Sequence, residues 1–450
     1  MIILKQLHVK NFKCFKDSEL TFSKLNIFTG ANSSGKSAML DTILAVAQSS
    51  EHFPFQLSPN GNYITMGDYY EFVKDHKLDY PIEIRVSLEA GKDKTVIQTT
   101  WTNDEATNMP TLKFLEAEAE FIQLSISKNR DYKVNIRFDE EAYKKSDTYQ
   151  AMKLATDFFS QITGGEFPLK KKLQNIKPTI SNGIINFQVP DCNDISTILL
   201  GSQLYNVDVA LTPIQKGAKR FEHTFNYISS FRKMPERTYI QKAVSEPVSR
   251  SGDNTINQIF HWKTITSPKF KQLIKELRDM QLLSELTIKK YRGGRYEVRI
   301  KTRASATWAS LADVGFGISQ FLPIVVADLQ LPKGSTLMVD QPELHLHPSA
   351  QAQLGDYFVR QTNSNNKCYF IETHSEYILN RIRALIAKGL ISSSDISVYY
   401  FDNHGDYVDI HQIQFTKDGR VLNAPKSFFD TYMIDVMDIA ISAAQNKKND

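Results

Sequence analysis

Hydrophobic and polar residues alternate with a period of two in two parts of the chain, and this period predicts β-strands. Residues 1–28 alternate like two or three strands, with apolar side chains at Ile3, Leu7 and Val9. The alternation returns between residues 80 and 138 in four successive runs, which predict an antiparallel meander. The four runs are 82–88, 95–101, 112–115 and 132–138.

Residues 139–224 follow a different pattern, which predicts an inserted, mostly helical subdomain. Apolar side chains recur at helical spacing until a Gly164-Gly165 pair, and a run of three lysines follows. The apolar positions are Tyr143, Met152, Phe158 and Ile162, and the lysines are Lys170, Lys171 and Lys172. No heptad persists for three or four repeats, so no long coiled coil is predicted. The insertion divides the remaining chain into 1–138 and 225–450.

Residues 28–37 read Phe-Thr-Gly-Ala-Asn-Ser-Ser-Gly-Lys-Ser, a complete G-x-x-x-x-G-K-S phosphate-binding loop. An apolar segment precedes the loop and a helix-like run follows it, which is the context that this motif requires. Gly30 and Gly35 allow the tight turn that brings backbone N–H groups to phosphate oxygens. We expect Lys36 on the β- and γ-phosphates of ATP and the Ser37 hydroxyl on Mg²⁺. The loop residues expected beside the same phosphates are Asn32, Ser33 and Ser34.

A second group of motifs lies in the last third of the chain. Residues 335–340 form an apolar run that ends in Asp340, the Walker B arrangement in which the acid holds Mg²⁺. A later apolar run ends in Glu372-Thr-His-Ser, and the glycine-containing segment 313–320 leads into an apolar helix. This order of phosphate loop, glycine-rich segment, Walker B and strand-terminal His374 resembles the ABC-type ATPase heads of the SMC, RecF and OLD-nuclease group.

Two further segments resemble the AAA-like ABC ATPases of bacterial anti-phage systems, such as the Septu and PARIS ATPases. They are Asn11-Phe12-Lys13 and the run Pro-Glu-Leu-His-Leu-His-Pro that ends at Pro348. The resemblance covers about 1–70 and 225–450. It implies an α/β P-loop NTPase of the ABC-head type, with an antiparallel β lobe and the inserted, mostly helical subdomain.

The resemblance also implies roles for individual residues. Asp340 would complete the Mg²⁺ site that Ser37 begins, and His374 would contact the γ-phosphate as a switch histidine. A degenerate signature, which in this group completes the site of the opposite protomer, would consist of Gly315, Gly317 and Ser319. The family's Leu-Ser-Gly-Gly-Gln is absent, and a glycine pair that caps the following helix is the alternative interpretation.

One departure from the family concerns the base for hydrolysis. Related heads place a glutamate directly after the Walker B acid, where this chain has Gln341, whose amide cannot take a proton from water. Pro342 follows, so we expect an extended backbone in which Gln341 and Glu343 share a face. Two interpretations remain open: Glu343 is the general base, or Gln341 orients water and hydrolysis is slow.

The rest of 225–450 predicts a helix near 269–285 and then a basic hairpin around Gly293-Gly294. The hairpin interleaves Lys and Arg with two tyrosines, as a phosphate-contacting ribbon would. A solvated amphipathic hairpin has the same pattern, so direct contact with DNA stays open. Residues 227–237 resemble a recurring segment of the defence ATPases, and this resemblance implies that Arg232 lies near the nucleotide or a partner.

Composition excludes several classes of protein. The net charge of +4, from 54 basic and 50 acidic side chains, is too small to indicate a nucleic-acid partner, so a DNA surface must be local. Three cysteines without C-x-x-C spacing indicate neither a disulfide framework nor a zinc site and favour the cytoplasm. His345 and His347 lack a third ligand nearby, so we favour a structural role for them. No apolar run approaches the roughly 18 residues of a membrane span, and the N-terminus is too short for a signal peptide.

These features predict an ATPase that converts ATP to ADP and phosphate, slowly, and that forms ATP-dependent homodimers. We expect a sensor or regulatory subunit of nucleic-acid-directed antiviral defence. A separate effector, such as a nuclease, would act with it, because the residues after His374 are few for the nuclease domain of OLD-type proteins. The alternative is a RecF-like DNA repair or recombination ATPase. A transporter's energising subunit is less favoured, because Lys36 and Asp340 are farther apart than such a subunit needs.

Overall fold

A computed structural model describes most of the chain. The described residues are 3–49, 53–91, 93–129, 131–145, 179–181, 184–189, 214, 221, 223–242, 246–425 and 428. Most of the predicted helical stretch of the insertion and its run of three lysines lie outside the described residues. None of the helices in the described ranges is long and apolar enough to cross a membrane.

Within the described residues, the first sheet has nine antiparallel strands in the order β2-β1-β4-β5-β6-β7-β8-β10-β9. Its strands are β1 Ile3–Phe12, β2 Phe15–Thr21, β4 Ile82–Ala90, β5 Asp93–Asn103, β6 Pro110–Ala119, β7 Ile122–Lys128, β8 Tyr132–Phe138, β9 Thr179–Ser181 and β10 Ile184–Val189. The predicted meander is confirmed, with its four runs as β4, β5, β6 and β8, and the structure adds β7, which the alternation did not predict. The alternate residues Ile82, Ile84, Val86 and Leu88 of β4 are buried.

The described part of the predicted insertion contributes to this first sheet. Strands β9 and β10 extend the sheet beyond β8, and a short helix, α3 Glu140–Lys145, follows β8. The division of the chain at residues 139 and 224 stays a prediction.

The second sheet has seven strands in the part of the chain that the structure describes, in the order β11-β16-β17-β3-β18-β19-β20. The first five are parallel, and the last two are antiparallel. The strands are β3 Leu25–Gly30, β11 Phe225–Ile228, β16 Thr336–Asp340, β17 Cys368–Glu372, β18 Ile396–Asn403, β19 Val408–Phe415 and β20 Val421–Leu422. Because the carboxyl ends of parallel strands meet at one edge, the phosphate loop, Asp340 and Glu372 come together there.

A third, smaller sheet has the order β12-β14-β13, with β15 paired to β14. Its strands are β12 Tyr239–Ile240, β13 Glu285–Lys290, β14 Arg295–Lys301 and β15 Ala309–Ser310. The predicted basic hairpin is confirmed as β13 and β14. The predicted helix near 269–285 is the shorter Pro268–Asp279, which begins with a Ser267 cap and proline at its first position.

The helices connect strands of the three sheets. In the described ranges the α-helices are α1 Lys36–Gln48, α2 Tyr69–Phe72, α3, α4 Thr255–Thr264, α5 Pro268–Asp279, α6 Phe316–Gln330, α7 Pro348–Asn365 and α8 Glu376–Ala387, and 3₁₀ turns lie at Lys74–His76, Arg292–Gly294, Leu311–Asp313 and Ser393–Asp395. Helix α6 contains Pro323 and is buried along most of its length.

Strand β3 lies between two hydrophobic cores. Phe28 belongs to the core beneath the antiparallel sheet, whereas Leu25 and Ile27 belong to the core beneath α6 and α7. Aromatic rings join the antiparallel sheet to β3, and Phe22 packs edge-on against Phe370 at 5.0 Å. Both faces of β3 are therefore buried, which fixes the strand that leads into the phosphate loop.

Candidate functional site

The phosphate loop connects β3 to α1 and depends on its two glycines. Gly30 has φ +139°, and a Cβ there would lie 2.4 Å from the carbonyl oxygen of Phe401. Gly35 has φ +101°, and a Cβ there would lie 3.0 Å from Cys14 Sγ. Both backbone conformations are ones that side-chain-bearing residues rarely adopt, so glycine is required at each position.

Lys36 is buried at the centre of this loop. Its Nζ donates to the carbonyl oxygens of Gly30 and Ala31, at 3.1 and 2.6 Å, and to Ser34 Oγ at 3.3 Å. Burial lowers the pKa of Lys36, and the nearby Glu372 carboxylate opposes that change. The loop therefore surrounds a single ammonium group with oxygens, at the place where the sequence motif expects phosphate.

A cavity of about 410 Å³ opens beside Lys36. The residues that line it are Lys13, Cys14, Asn32, Ser33, Ser34, Gly35, Lys36, Ser37, Ala38, Gln341, Glu372 and His374. The structure therefore brings together the phosphate loop, the residue after Walker B and the strand-terminal histidine. Gly30 and Asp340 do not line the cavity. The Gly30 carbonyl accepts from Lys36, and Asp340 directly precedes Gln341.

Two carboxylates meet at the ends of adjacent strands, since Asp340 of β16 is paired in register with Glu372 of β17. Ser37 Oγ donates to Glu372 Oε2 at 2.9 Å, and the Tyr227 hydroxyl donates to Asp340 Oδ2 at 2.5 Å. Burial and the repulsion of Glu372 and Asp41 raise the pKa of Asp340 to about 7. Burial also raises the pKa of Glu372.

These side chains fit a divalent cation such as Mg²⁺. Asp340 Oδ1 is buried and has no hydrogen-bond partner in the described part of the chain, and a cation would relieve the repulsion between the carboxylates. Across the described ranges, no cluster of three or more His, Cys, Asp or Glu side chains could hold a metal alone. Mg²⁺ usually combines one or two carboxylates with phosphate oxygens and water, so Ser37, Asp340 and Glu372 are suitable neighbours for it.

The expected extended backbone at Gln341 is wrong. Gln341 has φ +44°, because a tight turn begins there: its N–H donates to the Glu372 carbonyl at 2.7 Å, and its carbonyl accepts from Leu344 N–H at 3.3 Å. Gln341 and Glu343 consequently point to different places. Gln341 lines the cavity, whereas buried Glu343 accepts the His374 backbone N–H at 2.8 Å through Oε1.

His374 stands exposed at the edge of the cavity. Although the residue is exposed as a whole, partial burial of the ring and the positive charge of Lys36 lower the pKa of His374, which favours the neutral imidazole. A neutral imidazole keeps one donor and one acceptor nitrogen. Glu343 fixes the backbone of His374 by accepting its N–H. Burial of the Glu343 carboxyl group raises the pKa of Glu343.

The glycine-rich segment lies apart from this cavity. Gly315 precedes the first residue of α6, and the Ser319 hydroxyl donates to the Phe316 carbonyl at 2.8 Å. A Cβ at Gly317 would lie 2.9 Å from the His345 carbonyl oxygen, so this glycine has a packing role within its own chain. Phe316 is 52% exposed, so the first residue of α6 faces solvent.

The structural role that we predicted for His347 is confirmed. Its Nδ1 accepts the Ser349 N–H and caps α7. His345 has φ +62°, and its ring lies 6.0 Å from that of Phe316.

The sequence analysis assigned no role in the site to Glu372 or Tyr227. Glu372 ends the strand beside Walker B, and a carboxylate at the carboxyl end of a neighbouring parallel strand was the available signal. Tyr227 lies on β11, whose pairing with β16 brings its hydroxyl to Asp340. Arg232, which the sequence placed near the nucleotide or a partner, hydrogen-bonds to the carbonyl oxygens of Asp340 and Gln341.

Comparison with known proteins places these features in a family. A family model described as an AAA ATPase domain matches residues 1–379. The SMC head domain from Thermotoga maritima is 9% identical with a TM-score of 0.41, and the match covers 91% of this chain and 99% of that one. The Smc head domain from Pyrococcus furiosus, with an extended coiled coil and bound to the C-terminal domain of ScpA, is 10% identical with a TM-score of 0.42, covering 92% and 97%. The comparison with curated proteins finds no match.

The close approach of Gly317 to the 345–346 turn predicts a stability effect. We expect Gly317→Ser to lower the free energy of unfolding by about 1–3 kcal/mol, because the new side chain overpacks against the His345 carbonyl. Gly315→Ser is the matched control, since no atom lies within 4 Å of a Cβ there and serine is a good helix cap. Urea unfolding measures both variants, and equal stabilities would contradict the packing role.

Proposed function

The chain belongs to the AAA ATPase domain family, and we propose that it binds ATP with Mg²⁺ and hydrolyses it slowly, as a sensor or regulatory subunit of nucleic-acid-directed anti-phage defence. The observation that carries the proposal is the single cavity in which Lys36, Ser37, Gln341, Glu372 and His374 meet. A phosphate loop with strand-end acids beside it supplies the groups that bind the phosphates and Mg²⁺ of a nucleotide.

Each side chain has a role that follows from its position. Lys36 and the loop N–H groups would bind the phosphates, and neutral His374 could donate to the outermost one. Ser37 and Asp340 would hold Mg²⁺, with Glu372 orienting the Ser37 hydroxyl. Bound Mg²⁺ would supply positive charge against the developing negative charge of the phosphates.

Slow turnover follows from the absence of a carboxylate at the position of Gln341. Glu343, the other candidate base, directs one oxygen to the His374 N–H and does not line the cavity. We therefore propose that Gln341 orients water and that Glu343 positions His374. Loss of a well-placed base typically slows a reaction by about 10² to 10⁴.

A second copy of the chain is the proposed partner for the start of α6. Gly315 has open space around it, and Phe316 is exposed. Phe231 and Met234 are also exposed, at 89% and 67%. Exposed apolar groups of this kind mark interaction sites when they form a patch. In an isologous dimer each copy would offer α6 to the cavity of the other.

The defence role rests on the resemblance of Asn11-Phe12-Lys13 and the run ending at Pro348 to anti-phage ATPases. A separate effector such as a nuclease would carry out the response. A RecF-like repair or recombination ATPase is the alternative, and a transporter subunit is less favoured. Neighbouring genes distinguish these proposals, because each predicts a different companion: a nuclease, replication proteins or a permease.

ATP binding depends on Lys36 in this proposal. ATP with Mg²⁺ at a hundred times its dissociation constant should stabilise the wild type by about 2.7 kcal/mol, observed as a rise in melting temperature. We expect Lys36→Ala to lose this rise. Lys275→Ala, which removes an exposed lysine paired with Asp279, is the control and should keep it. An unchanged rise in Lys36→Ala would show that ATP binds elsewhere.

Acid and amide variants distinguish the two interpretations, in which either Glu343 is the base or Gln341 orients water. We expect Gln341→Glu to raise kcat by tenfold or more, because it adds a carboxylate at the cavity. Glu343→Gln should change kcat by less than tenfold, because its amide oxygen still accepts the His374 N–H. Phosphate release at saturating ATP measures both. A loss of two orders of magnitude in Glu343→Gln would make Glu343 the base.

A local basic surface favours nucleic acid as a further partner. Residues 255–303 contain 12 Lys and Arg against 4 Asp and Glu, a net charge of +8 in a chain whose total is +4. Three of the four acids are occupied by Arg360, Lys275 and Lys301. The exposed bases at the hairpin end, around the half-exposed Tyr291, are Lys289, Lys290, Arg292 and Arg295. Such a surface fits the phosphates of DNA.

The hairpin predicts salt-dependent binding of duplex DNA. Replacing Lys289, Lys290, Arg292 and Arg295 by alanine should weaken binding and make the slope of log affinity against log salt shallower by about 0.9 per lost phosphate contact. The control removes four exposed bases of the first sheet: Lys94, Lys113, Lys133 and Arg137. Fluorescence anisotropy at several salt concentrations measures both, and equal losses would point to a general effect of charge.

A further inference from the structure

Arg232 is a buried side chain just outside the cavity. It is 7% exposed, whereas the preceding Phe231 is 89% exposed. Its Nη2 donates to the carbonyl oxygens of Asp340 and Gln341, at 2.5 and 3.2 Å. Its Nη1 donates to the carbonyl oxygen of Gln320 at 3.4 Å. A buried guanidinium is unfavourable unless its donors find acceptors, so these three carbonyls fix where Arg232 lies.

The three acceptors belong to two different elements. Asp340 and Gln341 stand where β16 ends, and Gln320 lies in the second turn of α6. Pro323 lies in the following turn of α6 and has no N–H, which interrupts the helical hydrogen bonds beside Gln320. The planar guanidinium has five donors in a rigid fork, so it can hold carbonyls of both elements at once. Arg232 is therefore a direct polar link between α6 and the end of Walker B.

The link continues toward the cavity through backbone contacts. The Asp340–Gln341 segment opens the tight turn that places Gln341 in the cavity wall. Glu343 follows in that turn and accepts the His374 N–H. The positive charge of Arg232 also faces the carboxyl groups of Asp340 and Glu343. A displacement of α6 can thus reach Gln341 and His374 without passing through the phosphate loop.

We propose that Arg232 is a positioning residue that makes the placement of Gln341 depend on the position of α6. The inference rests on the proposed function, because it assigns to this link the coupling between contact at α6 and hydrolysis. A partner that touches the exposed Phe316 end of α6 shifts the Gln320 carbonyl, and the guanidinium transmits that shift to Gln341. In the described part of the chain, the hydrogen bonds of Arg232 go to α6 and to the end of Walker B and not to the phosphate loop, so replacing it should affect turnover more than nucleotide binding.

The first test separates binding from turnover. We expect Arg232→Met to keep the ATP-dependent rise in melting temperature and a KM within threefold of wild type. Its kcat should fall about 10²-fold, the effect of misplacing a reacting group by about 1 Å. The kcat of Arg232→Lys should lie between those of the wild type and Arg232→Met, because an ammonium cannot hold all three carbonyls. Arg360→Met is the control: it breaks a contact with buried Glu276 in the core, so it lowers stability but keeps kcat per folded molecule.

The second test measures coupling with a double-mutant cycle. Phe316→Ala truncates an exposed side chain at the start of α6 and should lower kcat. In the Arg232→Met background the same substitution should have no further effect, because the link is already broken. Fully additive effects on kcat would overturn the proposal. So would a rise in KM that accounts for the whole loss of kcat/KM in Arg232→Met, since Arg232 would then act in binding.

A third measurement needs no nucleotide and keeps this inference separate from the proposed function. In the free protein, Arg232→Met should speed amide hydrogen exchange in both 317–322 and 341–346 more than in the rest of the protein, whereas Arg360→Met should not speed exchange in these two segments more than elsewhere. Unchanged exchange in either segment would overturn the link. If Arg232→Met does not fold, Arg232→Lys serves in all three measurements. A wild-type protein without ATP hydrolysis would refute the proposed function, and the exchange result would still decide whether Arg232 joins the two elements.

Discussion

The register of three parallel strands is the constraint on which the site depends. Asp340 pairs with Glu372, and Glu372 pairs with Phe28, two residues before the loop glycine Gly30. The residues before Asp340 on β16 are fully buried, so the register is fixed by apolar packing on both faces. A slip of one residue would turn every side chain of β16 to the other face and move Asp340 away from the cavity. The site therefore takes its geometry from the core.

Beside these paired strand ends the protein buries several charged side chains that its own groups do not fully pair. Lys36, Glu372, Glu343 and Arg232 are all less than 9% exposed. Lys36 and Arg232 satisfy their donors mainly with backbone carbonyls, while one oxygen each of Asp340 and Glu343 has no partner in the described ranges. Buried charges of this kind raise the pKa values of the acids and lower that of the lysine. In the proposed function, the divalent cation would pair with the carboxylates and the triphosphate with Lys36, so the groups that destabilise the free site would favour its ligand.

The phosphate loop and the Gln341 turn that Arg232 contacts are held by different kinds of interaction. The phosphate loop is fixed by β3, which lies between two cores and is buried on both faces. The Gln341 turn is held instead by a few hydrogen bonds, to Glu372, Arg232 and the turn itself. Tight apolar packing allows little movement, whereas a small set of polar contacts can be rearranged by a partner. In the proposed function, binding and turnover would therefore be governed by different elements of one fold.

The sequence by itself determined the elements whose information is local. Alternation marked β4, β5, β6 and β8, and the spacing of Gly30, Gly35, Lys36 and Ser37 marked the loop, because periodicity and turn chemistry are properties of neighbouring residues. The tertiary structure alone decided what stands around that loop. Gln341 turns into the left-handed region because its N–H finds the Glu372 carbonyl of another strand, and that turn sends Glu343 to His374 instead of the cavity. Tyr227 and Arg232 reach Asp340 only because β11 pairs with β16. Contacts between residues 31 to 113 positions apart leave no local pattern, so packing and strand order had to assign them.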